Sequence, residues 1–383
     1  MHHFNQIDLI SKLNVILQHY YSNCVGMKES LVGYPTVHEA LLYEKLSGDK
    51  VKCGLCERRC TIDAGDRGFC KTRKNIDGKL YTLVYGDISA MESRPIEIKP
   101  FFHYWPGSTA LTLSTWSCNF ACPWCQNFHL SKLEPIPTKA SFYQVETIID
   151  IASRRKDEGV CISFQEPTLL FDWAVSLFKA GQQKGLFGCY VSNGYMTPEA
   201  IQLLKDAGMD GLKIDIKGDA ETYQKHCNNV DVEKIWRNAE VAKKIGLHVE
   251  IVNLAVSDVS DDEACIEWVI ESHLKHVGPE TPIHFTRYFP AYKFNNPPTK
   301  KEILEKAYAM AKKAGIHYPY IGNTFEHNYE NTYCPNCNET LIQRFSYAIR
   351  KYNVTKNKKC PKCKQAIPIR GSYVKKPRAY FVA

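Results

Sequence analysis

The sequence predicts an α/β fold: a parallel sheet covered by helices, with small N- and C-terminal cysteine-rich metal modules beside it. Three observations predict this. Short apolar runs alternate with helical patterns from residue 110 to residue 321, as expected of a parallel sheet with helical crossovers. Cys53, Cys56, Cys60 and Cys70 precede that alternation, and Cys334, Cys337, Cys360 and Cys363 follow it, both sets at metal-ligand spacing. A third set, Cys118-x3-Cys122-x2-Cys125, comes directly after the first apolar run, 109–116.

In chain order, residues 1–50 read as a helical N-terminal extension. Ile7, Ile10, Leu13 and Leu17 recur at helical spacing, and the stretch lacks the basic start and small-residue cleavage site of a signal peptide. Residues 51–100 form the first metal module. Gly54, Gly65 and Gly68 allow tight turns between its ligands, and strand-like runs follow over 79–85 and 95–98. Four thiolates within 18 residues suit tetrahedral zinc or a second iron–sulfur cluster. Residues 101–325 carry the alternation. Strands are expected over 110–116, 159–164, 186–191, 210–216, 247–254, 282–286 and 317–321. Helices are expected over 143–157, 171–183, 197–207, 232–245, 261–275 and 299–314. Thr197 is an N-cap before Pro198, and Gly246 and Gly315 are helix stops. The C-terminal ends of such strands face a common crevice. Residues 326–370 form a zinc-ribbon-like module, because two Cys-Pro-x-Cys pairs stand 22 residues apart. The same knuckles resemble those of rubredoxin, so iron is the alternative. Residues 371–383 read as a tail.

Composition narrows the class. In 383 residues the hydrophobic fraction is 44%, ordinary for a globular protein. No apolar run reaches ~18 residues, so no membrane span is expected. The net charge of +8 permits an anionic partner without demanding one. Of 16 cysteines, 11 fall in the three clusters. That clustering points to metal sites in a reducing cytoplasm rather than to disulfides. Cys161 and Cys189 begin strand-like runs and read as core residues.

The Cys118 loop carries the chemistry. Soft thiolates select zinc or iron–sulfur clusters. A structural zinc site needs four ligands. Three cysteines with no nearby fourth favour a four-iron cluster with one corner open to another ligand. The plainer readings are a zinc loop or three core cysteines.

The C-x3-C-x2-C spacing, with Trp124 before the last cysteine, resembles the motif of the radical S-adenosylmethionine (radical SAM) enzymes. The resemblance implies a partial (βα)6-type barrel. It also implies a [4Fe–4S] cluster on Cys118, Cys122 and Cys125, whose open iron chelates SAM and reduces it to methionine and a 5′-deoxyadenosyl radical. The strand ends then supply candidate SAM contacts: Trp124 in the loop, Gln165 and Glu166 after the second strand, and Ser192 and Asn193 after the third. Asp215 and Lys217 follow the fourth, on one side of their strand, and His284 follows the sixth. Arg287 is a further candidate. The pattern is similar to the pyruvate formate-lyase activating enzyme group, although Val191 stands where a cation-binding carboxylate would be. It is more similar to the radical SAM component of the AmmeMemoRadiSam system, over roughly residues 38–370. That likeness includes Glu39 to Glu44 in a lead-in helix, Gly68-Phe69-Cys70-Lys71, Arg94-Pro95-Ile96-Glu97, Cys125-Gln126-Asn127 and Ser192-Asn193-Gly194-Tyr195. Trp116-Ser117, Trp124 and Gln165 depart from its pattern.

The function implied is hydrogen abstraction from a substrate by a cytoplasmic enzyme fed by a reductant such as ferredoxin or flavodoxin. Two flanking metal modules suggest a protein or peptide substrate, for activation or post-translational modification. A tRNA modification enzyme, favoured by the basic tail and ribbon, is one alternative. A cobalamin-dependent C-methyltransferase is another, but no Asp-x-His-x-x-Gly cobalamin motif is present. A zinc-stapled nucleic-acid or protein-binding scaffold is the non-enzymatic alternative, and the intact Cys118 set argues against it.

Overall fold

The computed structural model describes residues 31–324 and 328–376; the helix expected over 1–17 lies outside the described residues. The chain first runs through β1 (His38–Glu39), β2 (Tyr43–Lys45), β3 (Val51–Cys53), β4 (Thr61–Ile62), β5 (Arg73–Ile76) and β6 (Lys79–Thr82). β1, β6 and β5 form one small sheet, and β2, β3 and β4 another. Strands therefore replace the lead-in helix expected across Glu39 to Glu44. β1 has a distant partner, with Glu39 opposite Tyr81, whereas β2 forms a hairpin with β3, with Tyr43 opposite Cys53. Local periodicity cannot reveal pairing of the range seen at β1.

The central sheet has eight strands. β7 (Ala90–Pro95) lies antiparallel on the edge beside β8 (Thr109–Ser114). β8 is followed by β9 (Gly159–Ile162), β10 (Phe187–Ser192), β11 (Met209–Ile216), β12 (His248–Ala255), β13 (Ile283–Arg287) and β14 (Pro319–Gly322). β8 to β14 are parallel and lie side by side in chain order. Six helices join them: Val145–Arg155, Phe171–Gln183, Pro198–Asp206, Val232–Lys244, Glu263–His276 and Lys301–Lys313. Six βα units plus a last strand make the partial barrel expected, with β7 and β14 as its open edges. β7 escapes a pattern search because its residues are mixed and only half-buried.

Local chemistry sets the crossovers. β8 and β9 are buried throughout, which explains why neither carries a charged residue. Thr197 accepts from Ala200 N and Pro198 opens the helix, as read from the sequence. An additional short helix, Ala220–His226, is capped by Asp219 in the loop after β11.

One mouth of the barrel is plugged. Tyr104 packs where a Cβ on Gly211 would sit, at 2.6 Å, and its ring lies 5.2 Å from Phe187 and 5.5 Å from His248. These residues start β10, β11 and β12, so the plug fills the N-terminal mouth. Phe102 N and His103 N donate to the fully buried Glu250 carboxylate at 3.0 and 2.7 Å. His248 and His284 bond the same carboxylate at 2.9 and 2.8 Å.

β15 (Thr332–Tyr333), β16 (Thr340–Phe345) and β17 (Ala348–Tyr352) form the C-terminal ribbon. Its Arg344 is buried and donates to Phe102 O at 2.6 Å and Thr332 Oγ1 at 2.9 Å, with its guanidinium over the Phe102 ring. The ribbon thus holds the plug. Of the expected tail, residues 371–376 lie against the fold: Val374 N donates to Pro106 O at 2.8 Å, and Tyr373 stacks on Tyr352 at 4.3 Å. No helix among the described residues is long and apolar enough to cross a membrane.

Burial pulls the imidazoles of His103 and His273 down to about 3, and lowers that of His284 as well. Unfolded histidines titrate near 6.5. Below that pH the unfolded chain binds more protons than the fold, so the stability these neutral rings contribute is complete above about pH 6.5 and drains as pH falls towards 3. Urea midpoints should drop between pH 7 and pH 5. His273→Gln, which loses the ring bonded to Thr281 O at 3.0 Å, should flatten that slope by about one proton. Equal slopes in both proteins would exclude this account.

Candidate functional site

The open mouth lies at the C-terminal strand ends. β8 leads into the loop holding Cys118, Cys122 and Cys125, which is pinned by Ser117 N donating to Leu130 O at 2.9 Å. All three cysteines line one cavity of about 430 Å³. Every candidate SAM contact named above lines it too, except His284 and Arg287. Cys118 Sγ accepts from Phe120 N at 3.3 Å, and Cys125 Sγ is 3.1 Å from Ser131 Oγ. Cys122 Sγ is 3.5 Å from Cys227 Sγ. Cys227 is an isolated cysteine in sequence, and only the fold brings it here.

Glu166 ties two strand ends together. One oxygen accepts from Thr168 N at 3.1 Å, from the Thr168 hydroxyl and from Ser192 Oγ at 2.7 Å. The other accepts from Asn193 N at 2.8 Å. Burial raises its pKa while these donors oppose the rise. A carboxylate has about four acceptor sites, so the oxygen facing Asn193 keeps capacity for one more donor. Asn193 Nδ2 reaches Asn119 Oδ1 at 2.7 Å and stands 4.0 Å from Cys118 Sγ. Gly194 turns the chain at φ +74, where a Cβ would meet Ile214 and Ile235 at 2.8 and 2.9 Å.

β11 contributes Lys213 and Asp215, alternate residues on one face, and Lys217 follows its last residue. Asp215 pairs with Lys213 and with Lys217, the latter at 3.4 Å. Burial works against its ionisation, but the two ammoniums prevail and hold its pKa below the ordinary value. Lys213 was missed by sequence reading, although Lys-x-Asp-x-Lys on a strand was the available signal. Lys99 was also missed. It lines the cavity, its Nζ is buried without a partner, and burial lowers its pKa. Both amide atoms of Gln165 and the Trp124 indole nitrogen are likewise buried and unpartnered. Each such atom costs on the order of 1–3 kcal/mol unless a ligand satisfies it. The donor set therefore suits a polar, zwitterionic ligand beside three thiols. That chemistry fits SAM.

The cavity continues beneath the ribbon. A second space of about 230 Å³ shares Lys213, Asp215 and Lys217, and adds His284 and the ribbon residue Tyr347. His284 thus sits one cavity away from the thiols, stacked on Tyr320 and bonded to Glu250. Glu97 also lines this second space, and burial raises its pKa to about 7. Arg287 donates to Thr299 O at 2.8 Å and lines a third space of about 480 Å³ with Gln126 and Tyr347.

The cysteine sets differ in spacing. The four ribbon sulfurs all lie within 4.8 Å of one another. A tetrahedron around one zinc, at Zn–S ≈ 2.3 Å, has edges of roughly 3.8 Å, so the ribbon fits a single ion. Among the described residues, no other group of three or more potential ligand atoms is so close.

The sequence model of the Radical SAM superfamily matches residues 114–269. The uncharacterized protein MJ0808 of Methanocaldococcus jannaschii is 37% identical over 335 residues, 87% of this chain and 99% of that protein. The chain belongs to the radical SAM superfamily. MJ1227 of the same organism, a candidate glycyl-radical enzyme activating enzyme, is 25% identical over 42% of this chain and 66% of that protein. Among solved structures, a domain of a pyruvate-formate lyase-activating enzyme from Bacteroides vulgatus matches 43% of this chain and 99% of its own, at 21% identity and a TM-score of 0.37. In this radical SAM enzyme the superfamily implies a [4Fe–4S] cluster and SAM, and the thiol-lined cavity has the donors to receive them.

The ribbon of this radical SAM enzyme should carry its own ion. Cys360→Ala combined with Cys363→Ala should remove about one equivalent of metal, read by plasma mass spectrometry. Tryptic cleavage within 332–369 should speed up, since three short strands then lose their staple. Unchanged metal content in the double variant would show that the four thiols do not bind an ion.

Proposed function

We propose that Cys118, Cys122 and Cys125 hold the [4Fe–4S] cluster and that SAM lies across the strand ends from Gln165 to Lys217. When bound, cluster and cofactor supply one-electron cleavage of SAM and hydrogen abstraction from a substrate. The chain's own groups do the positioning. The free acceptor site on Glu166 faces an ammonium, and Lys99 and Lys217 face a carboxylate. The Gln165 amide and the Ser192-Asn193-Gly194 turn meet ribose or adenine. The thiols and Trp124 keep one side dry, which strengthens each polar contact.

The substrate is a protein or peptide segment. The observation that carries this reading is the continuity of the crevice: from the thiols it runs past Lys213 and His284 and on beneath the ribbon at Tyr347. An extended segment uses a channel with a lid, and the likeness to a candidate activating enzyme points the same way. Radical SAM enzymes need a reductant, here a ferredoxin or flavodoxin, and this reading places the reaction in the cytoplasm.

Reconstituted wild type with SAM and dithionite should form 5′-deoxyadenosine, and Cys118→Ala/Cys122→Ala/Cys125→Ala should form none. To test substrate class, cells are grown in deuterated medium and their extract is split by size into protein and metabolite fractions. Deuterium should enter 5′-deoxyadenosine with the protein fraction. Label from the metabolite fraction alone would refute the protein reading and leave the cluster assignment standing.

A further inference from the structure

The ribbon serves as an internal ruler for the other four-cysteine set. Cys53 ends β3, Cys56 and Cys60 follow in a turn, and Cys70 precedes β5. All four line one small void with Arg73 and Asn119. Yet no three of them come within the 4.8 Å that gathers all four ribbon sulfurs. One chain therefore holds two tetrathiol sets, of which one is closed to single-ion size and the other is wider. A cluster accounts for the wider set, because each cysteine then binds a different iron and metal–metal edges separate the sulfurs.

The donors around the void agree. Arg73 is 2% exposed. It forms an ion pair with Asp172 at 2.6 Å through Nη1, while Nε and Nη2 are buried without partners. Asn119 Nδ2 is likewise unpartnered. A buried guanidinium with two unused N–H groups, facing four thiols, offers both charge and hydrogen bonds to an anionic cluster with bridging sulfides, and such bonds tune its potential.

The position is equally specific. Ser117 Oγ donates to Cys70 O at 2.8 Å. The two residues that meet there are a thiol of the wide set and the neighbour of Cys118. A path of covalent bonds with one hydrogen bond therefore joins a thiol of each set. Arg58 Nε donates to Asn119 O at 2.6 Å, and Glu57 N to Tyr195 O at 2.9 Å, fastening the module to the strand ends.

We propose that Cys53, Cys56, Cys60 and Cys70 hold a second iron–sulfur cluster that relays electrons to the Cys118 loop. The relay rests on the reading of that loop given above. An external low-potential one-electron carrier protein reduces the second cluster by one electron. The cluster is reoxidised by passing that electron on, and no bond or proton moves.

The test uses full-length chain reconstituted anaerobically with iron and sulfide. Wild type should bind more than the about four acid-labile sulfides of one cluster. Cys118→Ala/Cys122→Ala/Cys125→Ala should keep the remainder and show the electron paramagnetic resonance of a reduced cluster after dithionite. Cys53→Ala/Cys70→Ala should lose that remainder and keep the other signal. Far-UV circular dichroism checks that each variant is folded. Four or fewer sulfides in wild type, or a Cys118-set variant with zinc and no sulfide, overturns the second cluster. For the relay, reduced flavodoxin should reduce the Cys118-loop cluster several-fold more slowly in Cys53→Ala/Cys70→Ala, and equal rates overturn it. Formation of 5′-deoxyadenosine by dithionite-treated Cys53→Ala/Cys70→Ala reports the Cys118 loop separately, so the two readings fail independently.

Discussion

The structure depends on one buried carboxylate. Glu250 receives two backbone N–H groups of the plug and two imidazoles, from β12 and β13. A charge buried so deeply costs several kcal/mol unless its acceptor sites are filled. Here four donors fill them: burial would raise the carboxyl pKa, but the histidine bonds win and it stays well below the ordinary range. The arrangement joins parts far apart in sequence. The plug holds Phe102, Phe102 is covered by Arg344, and Arg344 belongs to the ribbon. Closing the N-terminal mouth in this way leaves the C-terminal mouth, with its thiol-lined cavity, open.

That mouth has its own electrostatic logic. Lys213 and Lys217 flank Asp215 at the end of β11, and Glu166 lines the same cavity under four donors. The strand ends thus offer both a carboxylate and ammonium groups to a zwitterion. Strands place these groups more rigidly than loops would. The thiol loop is held by Ser117, Asn119 and Lys132, the last donating to Phe120 O at 3.2 Å.

Much of this was legible in the sequence, for a physical reason. Parallel strands buried on both faces are apolar runs, and crossover helices carry caps such as Thr197-Pro198. Period and punctuation therefore located all seven parallel strands to within a few residues. The cysteine sets were legible because ligand spacing is local. What failed was long-range. β1 has a distant partner, β7 is a half-buried edge, and Cys227 approaches Cys122 only through the fold. His284 followed the right strand, but its side chain is claimed by Glu250. Lys99 and Arg73 look like surface charges in one dimension. Their burial without full partners, which marks them as ligand-facing, exists only in three.

The two flanking modules look alike as cysteine lists and differ as physical objects. The ribbon has its own apolar centre, with Leu341, Ile342 and Ile367 around the thiols, and its four sulfurs are close enough to share one ion. It adds a small independent core and a lid. The first module has scarcely any core of its own. Leu55, Ile62 and Leu80 belong to the main barrel cluster, and besides its own strand ladders the module bonds outward to Tyr195, Asn119 and Ser117. Its wide thiols and half-paired arginine are better explained by what they face than by what they staple.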